Sequence, residues 1–270
     1  ELRRGLQTLR VADWRLDEHW AGLRPGTLCT SKQGRPVETL TFGCLHGTPK
    51  YRVLITTRHH ACESMTSFAL EGLVAFVLGD GGPAATSLRA HVEFIAAPFM
   101  DKDGVEDGDQ GKNRKPRDHN RDYDEPSLYH ETAAMRSLVA GCTHPELSAA
   151  LDLHCPWLLG GLNEKIYLVG SPSETRWLEQ QRFSEILERT RTGPLSFRMT
   201  DNLPYGQDWN VADSYRKGLS FTGWMTARSG TPLVTTIELP YANARGIEVN
   251  AATARAFGAD LARALAAYLN

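Results

Sequence analysis

The sequence carries little net charge and contains no long hydrophobic run. Its formal net charge is -2 over 270 residues, so composition gives no reason to expect a nucleic-acid or membrane-surface partner. No apolar run approaches the roughly 18 residues that a membrane-spanning helix needs. Hydrophobic residues make up 41% of the chain and charged residues 23%, which favours an ordinary globular protein with a sizeable core.

The chain also lacks any Cys-x-x-Cys spacing, and its number of cysteines is odd. Such a set favours reduced thiols in a cytoplasm-like compartment over a disulfide framework. The chain opens on Glu1 rather than methionine, so a removed export signal or preceding domain stays an open alternative. The five cysteines are Cys29, Cys44, Cys62, Cys142 and Cys155.

Short apolar runs alternate with amphipathic segments along the chain. The apolar runs predict strands at 37–42, 52–57, 92–97, 150–154, 165–169 and 233–239. Helical periodicity appears in 64–78, 131–140, 173–190 and 251–269, with Ser173 and Asn250 as N-caps of the last two. This alternation predicts one α/β domain over residues 1–270, a three-layer α/β/α sandwich around a mixed, mostly parallel sheet.

Candidate metal ligands follow two of the predicted strands. His60 and Glu63 lie three residues apart just after 52–57, and imidazole nitrogen and carboxylate oxygen both suit zinc. His154 is the last residue of 150–154. Ligands of such sheets bind at the carboxyl ends of strands, where His60 and His154 are both expected. A solvated turn is the alternative interpretation of His60-x-x-Glu63 taken alone.

The stretch 101–125 is dense in charge and almost free of apolar residues. This composition is typical of a solvated, mobile loop or linker, but its length favours a functional loop. Arg114, Arg117 and Arg121 lie within it, close to Asn120. A planar guanidinium engages both oxygens of a carboxylate, so the cluster is a candidate carboxylate-binding site. A cluster of surface salt bridges is the alternative.

Taken in order, these motifs resemble the zinc carboxypeptidase family nearly from end to end. The series is His60-x-x-Glu63, Asp118-x-Asn120-Arg121, His154 closing Ala-Leu-Asp-Leu-His, and Glu238 in Thr-Thr-Ile-Glu-Leu. Segment 33–40 resembles the family's glycine-arginine-proline strand, and 131–139 resembles the helix before the third ligand. Segment 99–104 resembles the asparagine-proline-aspartate-glycine turn with its first two positions changed. The resemblance implies that family's fold and zinc-dependent hydrolysis of a C-terminal peptide bond.

The resemblance implies a role for each matching residue around one zinc ion. His60, Glu63 and His154 would hold the ion and leave a coordination place for water. Asp118 would accept a hydrogen bond from the His60 ring and fix its orientation. Glu238 would be the general base, taking a proton from water and later delivering it to the leaving amine.

The resemblance also implies a group of substrate-binding residues. Asn120 and Arg121 would grip the terminal carboxylate of the substrate. Arg114 would polarise the scissile carbonyl, with Arg117 as its rival, because spacing in this loop departs from the better-known members. Tyr215 is an approximate match to the tyrosine that covers the bound end residue, and a packing role is its alternative.

Other residues near these motifs have supporting interpretations. Asp152 lies two residues before His154 and faces the same side, so it is a candidate, weaker than Asp118, for supporting a ligand. His59 would point to the opposite face from His60. The segment from Ser220 through Arg228 would line the pocket for the terminal side chain.

Two other functions fit parts of the pattern. An amidase of the succinylglutamate desuccinylase and aspartoacylase branch shares the His-x-x-Glu and Asn-Arg motifs, but lacks an equivalent of Glu238 followed by a closing helix. A binding module that recognises C-terminal tails usually loses a ligand or the base, whereas here every such position is filled. The expected partner is a peptide or small amide with a free carboxylate, and the oligomeric state stays open.

Overall fold

A computed structural model of the chain describes residues 22–227 and 230–270. The strands of its main sheet are β1 (Arg24–Thr30), β2 (Pro36–Gly43), β3 (Tyr51–Thr57), β4 (Val92–Ala97), β5 (Leu147–His154), β6 (Tyr167–Val169) and β7 (Leu233–Glu238). Their order across the sheet is β1-β2-β4-β3-β5-β7-β6. A separate small ribbon pairs β8 (Asn243–Ala244) with β9 (Ile247–Glu248).

Strand direction makes the main sheet mixed but largely parallel. β4, β3, β5 and β7 are consecutive and parallel, whereas β2 and β6 run antiparallel to their neighbours. β1 is antiparallel to β2 and therefore runs in the same direction as the central strands. Every predicted strand is present, which confirms the predicted fold class. The edge strand β1 was not predicted, because its residues are mostly exposed and carry no apolar run.

Helices cover both faces of the sheet. They are α1 (Ser64–Leu78), α2 (Gly82–His91), α3 (Lys102–Asp107), α4 (His130–Gly141), α5 (Glu174–Thr190), α6 (Phe221–Thr226) and α7 (Ala251–Leu269). The buried residues of α1, α2, α5 and α7 share a core with Val53 and Ile55 of β3. Those of α4 and α6 share a second core with Leu54. Successive residues of β3 are thus buried on opposite faces, which explains its continuous apolar run and confirms the α/β/α layers.

The closing helix α7 crosses α1 at a very short distance. A Cβ on Gly72 would collide with the backbone carbonyl of Arg255, and one on Gly258 would collide with that of Ala69. Only glycine permits backbones to approach this closely. The helical periodicity of 251–269 corresponds to an apolar stripe on α7 that is buried, and the stripe consists of Ala254, Phe257, Leu261, Leu265 and Tyr268.

The two predicted N-caps have different outcomes. The Asn250 side chain accepts hydrogen bonds from the backbone N–H groups of Ala252 at 3.0 Å and Thr253 at 3.1 Å, which confirms the cap of α7. Ser173 occupies the N-cap position of α5, but its side chain makes no capping bond. Its hydroxyl lies 3.1 Å from the Thr175 hydroxyl instead. Ser173 is therefore the N-cap residue, as predicted, but without the side-chain hydrogen bond that usually accompanies this position.

The charged stretch 101–125 is more ordered than its composition predicts. It contains α3 and a 3₁₀ turn over His119–Arg121. The Asp101 carboxylate accepts the N–H of Gly104 at 3.0 Å, and the Lys102 ammonium pairs with Glu38 at 2.9 Å. Opposite charges are therefore paired with each other and with the sheet. The mobile loop or linker that the composition alone suggests is not what the structure shows, because composition does not reveal such pairing.

Several other predictions bear on the chain as a whole. All five cysteines are free, as predicted. No single helix among the described residues is long and apolar enough to cross a membrane, although the bent pair α1–α2 meets the length and composition criteria together. The prediction that residues 1–270 form one domain stays a prediction.

Candidate metal and peptide site

The candidate site lies at the carboxyl ends of three adjacent parallel strands. His154 is the last residue of β5 and Glu238 is the last residue of β7, and the two are paired in register. His60 follows β3, which pairs with β5 on the other side. His60 and His154 thus lie at the strand ends where ligands of such sheets bind.

A buried arginine shapes the turn that carries His60 and Glu63. Arg58 has a φ of 59°, and its guanidinium donates to the Ala61 carbonyl at 2.9 Å and to the Ser67 hydroxyl at 3.0 Å. The turn brings Glu63 to the N-cap position of α1, where its carboxylate caps no N–H group and lies against the histidines instead. The positive end of the helix dipole favours a negative charge at this position.

The polar atoms of His60, Glu63 and His154 converge on one point. Glu63 Oε1 lies 2.8 Å from His60 Nδ1, Glu63 Oε2 lies 2.9 Å from His154 Nδ1, and the two Nδ1 atoms are 3.3 Å apart. Tetrahedral zinc with bonds of roughly 2.0–2.1 Å places its ligand atoms about 3.3 Å from one another. Glu63 Oε2 is buried and makes no aligned hydrogen bond within the described residues. These atoms fit a zinc ion.

The second ring nitrogen of each histidine faces a carboxylate. His60 Nε2 lies 3.1 Å from Asp118 Oδ2, and His154 Nε2 lies 2.8 Å from Asp152 Oδ2. A carboxylate only accepts hydrogen bonds, so each ring directs an Nε2 proton to it and leaves Nδ1 for a metal. Asp118 and Asp152 therefore support different rings, and are not rivals for one role.

A second group of possible ligands lies deeper in the sheet. It consists of His59, Asp152 and His154, all buried. In that group the polar atoms already bond one another, since His59 Nδ1 lies 2.8 Å from Asp152 Oδ1. His60 and His154 line the open cavity, whereas His59 does not. The group formed by His60, Glu63 and His154 is consequently the better candidate for a metal site that must admit water and substrate.

Lys112 reaches this site although sequence patterns did not single it out. Its ammonium lies 2.9 Å from Glu63 Oε1 and donates to the Cys155 carbonyl at 2.6 Å. Gly111 makes this approach possible, because its φ is +85° and any Cβ would collide with the backbone of Ala61. The path of a loop determines this contact, so no spacing rule could have found it.

Burial and neighbouring charges shift the pKa values of two site carboxyls in opposite directions. Burial alone would raise the pKa of Glu63, but His60, His154 and Lys112 hold it well below its usual range. Burial raises the pKa of Glu238, which is 7% exposed. The first carboxyl is thus suited to remain an ionised ligand, and the second to accept a proton more readily than an exposed carboxylate does.

The two arginines predicted to face the scissile carbonyl are held in ion pairs. Arg114 pairs with Asp101 and, at 2.7 Å, with Asp109. Arg117 Nη1 lies 2.9 Å from Asp122 Oδ1. Both arginines line the cavity. Neither forms an ion pair with Glu63, whereas Lys112 does.

Arg121 differs from these arginines because its half-buried guanidinium forms no ion pair with any carboxylate in 22–227 or 230–270. Its charge still helps to lower the pKa of the Asp118 carboxyl, which lies beyond ion-pair distance. Its Nη1 donates to the Asn120 carbonyl at 2.7 Å, and the guanidinium carbon lies 5.2 Å from the centre of the Tyr215 ring. Tyr215 donates its hydroxyl to Asn210 Oδ1 at 2.8 Å. Arg121 thus offers a half-buried positive charge to a ligand in the cavity.

The Asn120 side chain is engaged within the protein. Its carbonyl oxygen accepts the backbone N–H of Phe221 at 2.9 Å, and its Nδ2 lies 3.4 Å from Asp152 Oδ2 and 3.0 Å from His154 Nε2. The residue is 6% exposed but still borders the cavity. Its predicted role in gripping a carboxylate stays a prediction.

These groups surround one cavity of about 950 Å³. Its lining includes His60, His154, Glu238, Arg121 and Tyr215, so the structure brings the predicted metal, base and carboxylate-binding residues together. Trp157 lies at the same cavity and is 66% exposed. The arrangement could bind a metal, a water molecule and a substrate carboxylate side by side.

The segment predicted to line the specificity pocket contributes only in part. Ser220 and Thr222 border the cavity. Phe221 is fully buried in the core beneath α4 and α6, where Trp224 stacks on Tyr123 with ring centres 5.8 Å apart. Arg228 lies outside the described residues.

Comparison with curated proteins finds relatives that carry carboxypeptidase names. Cytosolic carboxypeptidase 2 of Xenopus tropicalis is 29% identical over 147 residues, which cover 50% of this chain and 15% of that protein. Cytosolic carboxypeptidase 6 of Mus musculus is 33% identical over 101 residues, which cover 36% of this chain and 18% of that protein. No family model matches the chain.

Solved structures with the same fold include a metallo-carboxypeptidase from Burkholderia cenocepacia. It superposes with a TM-score of 0.74 at 24% identity and covers 92% of this chain and 65% of its own. The chain thus has the fold of metallo-carboxypeptidases and resembles cytosolic carboxypeptidases in sequence. Both the predicted resemblance and the predicted fold are thereby confirmed. The chain spans only 14% to 22% of the length of the curated relatives it matches.

Proposed function

We propose that this chain is a zinc-dependent carboxypeptidase that hydrolyses the C-terminal peptide bond of a peptide or protein. One observation carries the proposal: a converging His-His-Glu set, a buried carboxyl and a guanidinium without an acidic partner among the described residues share one cavity. The carboxypeptidase relatives and the fold support it. The names of those relatives and the free cysteines also support a cytoplasmic location.

The proposed cofactor is one zinc ion per chain, held by His60, Glu63 and His154. Two nitrogen donors and one oxygen donor, with a fourth place open, form the donor set of catalytic zinc. A bound zinc ion would polarise the substrate carbonyl and make a neighbouring water nucleophilic near neutral pH. Asp118 and Asp152 would orient the two rings by accepting their Nε2 protons.

Glu238 is the proposed general base. Burial raises its pKa, and its Oε2 has no hydrogen-bond partner in the described part of the chain. That oxygen would take a proton from water as the water attacks the carbonyl carbon. The same oxygen would then deliver the proton to the leaving amine, which returns the carboxylate to its starting state.

Arg121 is the proposed recognition residue for the terminal carboxylate. Its planar guanidinium suits both oxygens of that group, and no carboxylate in the described part of the chain forms an ion pair with it. An internal peptide bond brings no such charge, so a substrate extended beyond the site would leave Arg121 unpaired in a partly dehydrated pocket. Asn120 and Tyr215 would flank the bound end residue.

Lys112 is the cation that we propose to stabilise negative charge developing on the carbonyl oxygen. It is closer to the metal-ligand set than Arg114, whose guanidinium is held by Asp101 and Asp109. Burial alone would lower the pKa of Lys112, but Glu63 and Glu238 raise it, so the ammonium stays charged at working pH. Preorganised charges of this kind account for a large part of catalysis in water-poor sites.

A substrate screen with purified protein tests the proposal. Blocked dipeptides that differ only in their last residue would be hydrolysed, while the same dipeptides with a C-terminal amide would be hydrolysed only weakly. A chelator would abolish the activity and added zinc would restore it. Turnover restricted to N-acyl amino acids would instead favour an amidase, and tight tail binding without turnover would favour a binding module.

A further inference from the structure

Beneath the candidate metal site lies a chain of buried polar side chains that we call the Asp152 array. It consists of Tyr123, His59, Asp152 and His154, whose exposed fractions are 1%, 0%, 0% and 2%. A carboxylate and two imidazoles at this depth are costly to bury unless their hydrogen bonds are satisfied. Apolar residues would fill the same space at a lower free-energy cost, so the polar array calls for a functional explanation.

The Asp152 carboxylate is at the centre of the array and receives hydrogen bonds on both oxygens. Oδ1 lies 2.8 Å from the Thr56 hydroxyl and 2.8 Å from His59 Nδ1. Oδ2 lies 2.8 Å from His154 Nε2 and 3.4 Å from the Asn120 amide nitrogen. Because an ionised carboxylate donates nothing, each of these partners must donate to it.

This requirement determines where the protons of the array lie. His59 carries a proton on Nδ1 and His154 carries one on Nε2. The remaining nitrogen of His59, Nε2, lies 2.7 Å from the Tyr123 hydroxyl, so it accepts that phenolic proton. Burial raises the pKa of Tyr123 well above its usual range, which keeps the proton on the phenol. Every donor in the array then has an acceptor.

We infer that Asp152, His59 and Tyr123 are positioning residues that hold His154 in the tautomer and orientation needed for metal binding. With its proton directed to Asp152, His154 turns its Nδ1 lone pair toward Glu63 Oε2, 2.9 Å away. The inference rests on the proposed zinc site. It goes beyond that site by assigning a role to His59 and Tyr123, which do not line the cavity and do not belong to the set formed by His60, Glu63 and His154.

The two ligand histidines differ in the rigidity of their support. Asp118, the partner of His60, lies in the stretch 101–125, and its side chain is 14% exposed. Asp152 lies within β5 and is fully buried, with its second histidine anchored on the far side by Tyr123. The inference therefore predicts that zinc affinity depends more strongly on Asp152 than on Asp118.

Zinc affinity, measured by competition with a chromophoric chelator, tests the inference without any substrate. Asp152→Asn is expected to weaken zinc binding 10- to 100-fold, which is the usual range for losing such a partner. Tyr123→Phe removes one hydroxyl and should weaken binding about two- to tenfold by releasing His59. Tyr268→Phe is the matched control, because the buried Tyr268 hydroxyl lies outside the array and donates to Glu179 of α5 at 2.6 Å. This variant should bind zinc as tightly as wild type does.

Nitrogen-15 spectra of the histidine rings in zinc-loaded protein give an independent readout. They should show His154 protonated on Nε2 and His59 protonated on Nδ1, and Tyr123→Phe should alter the His59 signals. If Asp152→Asn does not fold, the zinc affinity of Tyr123→Phe and these spectra still test the inference. Wild-type zinc affinity in Tyr123→Phe together with the opposite His59 tautomer would overturn the inference. Zinc binding without peptide cleavage would overturn the proposed function and leave this inference intact.

Discussion

Glu238 stands directly beside His154 across the ladder between β5 and β7, and each residue ends its strand. Side chains at the same level of neighbouring parallel strands point to the same face, so the sheet fixes the separation of the proposed base and the proposed ligand. Loop motion would alter that separation little. A substitution of Glu238 that keeps its shape should therefore remove the proposed base and leave His154 in place to bind the metal.

Glu238→Gln should abolish most turnover without removing the metal. The amide has nearly the shape of the carboxyl but accepts no proton, so kcat should fall by about 10²–10⁴. Zinc affinity should stay within a few-fold of wild type, since Glu238 is not in the converging set. Steady-state kinetics on a zinc-loaded sample, with metal content measured in parallel, check this. Unchanged hydrolysis would rule out the proposed role.

Lys112→Met and Arg114→Met distinguish two candidates for the cation that faces the carbonyl. The Lys112 variant should lower kcat by about 10²–10³, the usual effect of removing one oxyanion donor. The Arg114 variant should lower kcat less than tenfold but reduce the free energy of unfolding by about 1–3 kcal/mol, because the buried Asp101 carboxylate loses its guanidinium partner. The opposite ranking in kcat would favour the original prediction for Arg114.

Arg121→Gln should raise KM for peptides with a free C-terminus. A charge-assisted hydrogen bond contributes about 1.5–3 kcal/mol, so the increase should be roughly 10- to 150-fold. The weak turnover of C-terminal amides should change little, because they have no carboxylate to lose. Lys217→Gln is the control, as Lys217 is an exposed cation that borders the same cavity. Equal effects of the two substitutions would indicate general electrostatic attraction.

Glu131→Gln should remove a pH dependence of stability. The Glu131 carboxyl is 2% exposed, and burial raises its pKa from 4.5 to about 7. Between these values the unfolded chain releases a proton that the folded chain retains, so the free energy of unfolding falls as pH rises. The difference in free energy of unfolding between the variant and wild type should therefore shift in favour of the variant by on the order of 2 kcal/mol from pH 4 to pH 8.

Chemical denaturation between pH 4 and 8 measures this slope. Glu174→Gln is the matched control, because Glu174 also lies in the first turn of a helix but is exposed. A slope that persists in Glu131→Gln would assign the effect to other groups.

The elements that carry the site were predictable because local patterns determine them. The apolar run of β3 places His60 at a strand end, and the run of β5 does the same for His154. Lys112 was not predictable, because it reaches Glu63 through the path of a loop that turns at Gly111. Nor was the array around Asp152, since hydrogen bonds between β3, β5 and Tyr123 join residues far apart in sequence.

The crossing of α1 and α7 has a consequence at the cavity. Glu63 immediately precedes α1, and the spacing of the two helices is set by Gly72 and Gly258, where backbones touch. A methyl group at either glycine would push α1 and α7 apart. Because a helix moves largely as a rigid unit, the shift of α1 would also displace the Glu63 carboxylate at its N-terminus. The sheet holds the His154 imidazole in place, so the displacement would separate Glu63 from His154. The absence of a side chain at Gly72 and Gly258 thus helps to set the distance between Glu63 and the His154 ligand atom.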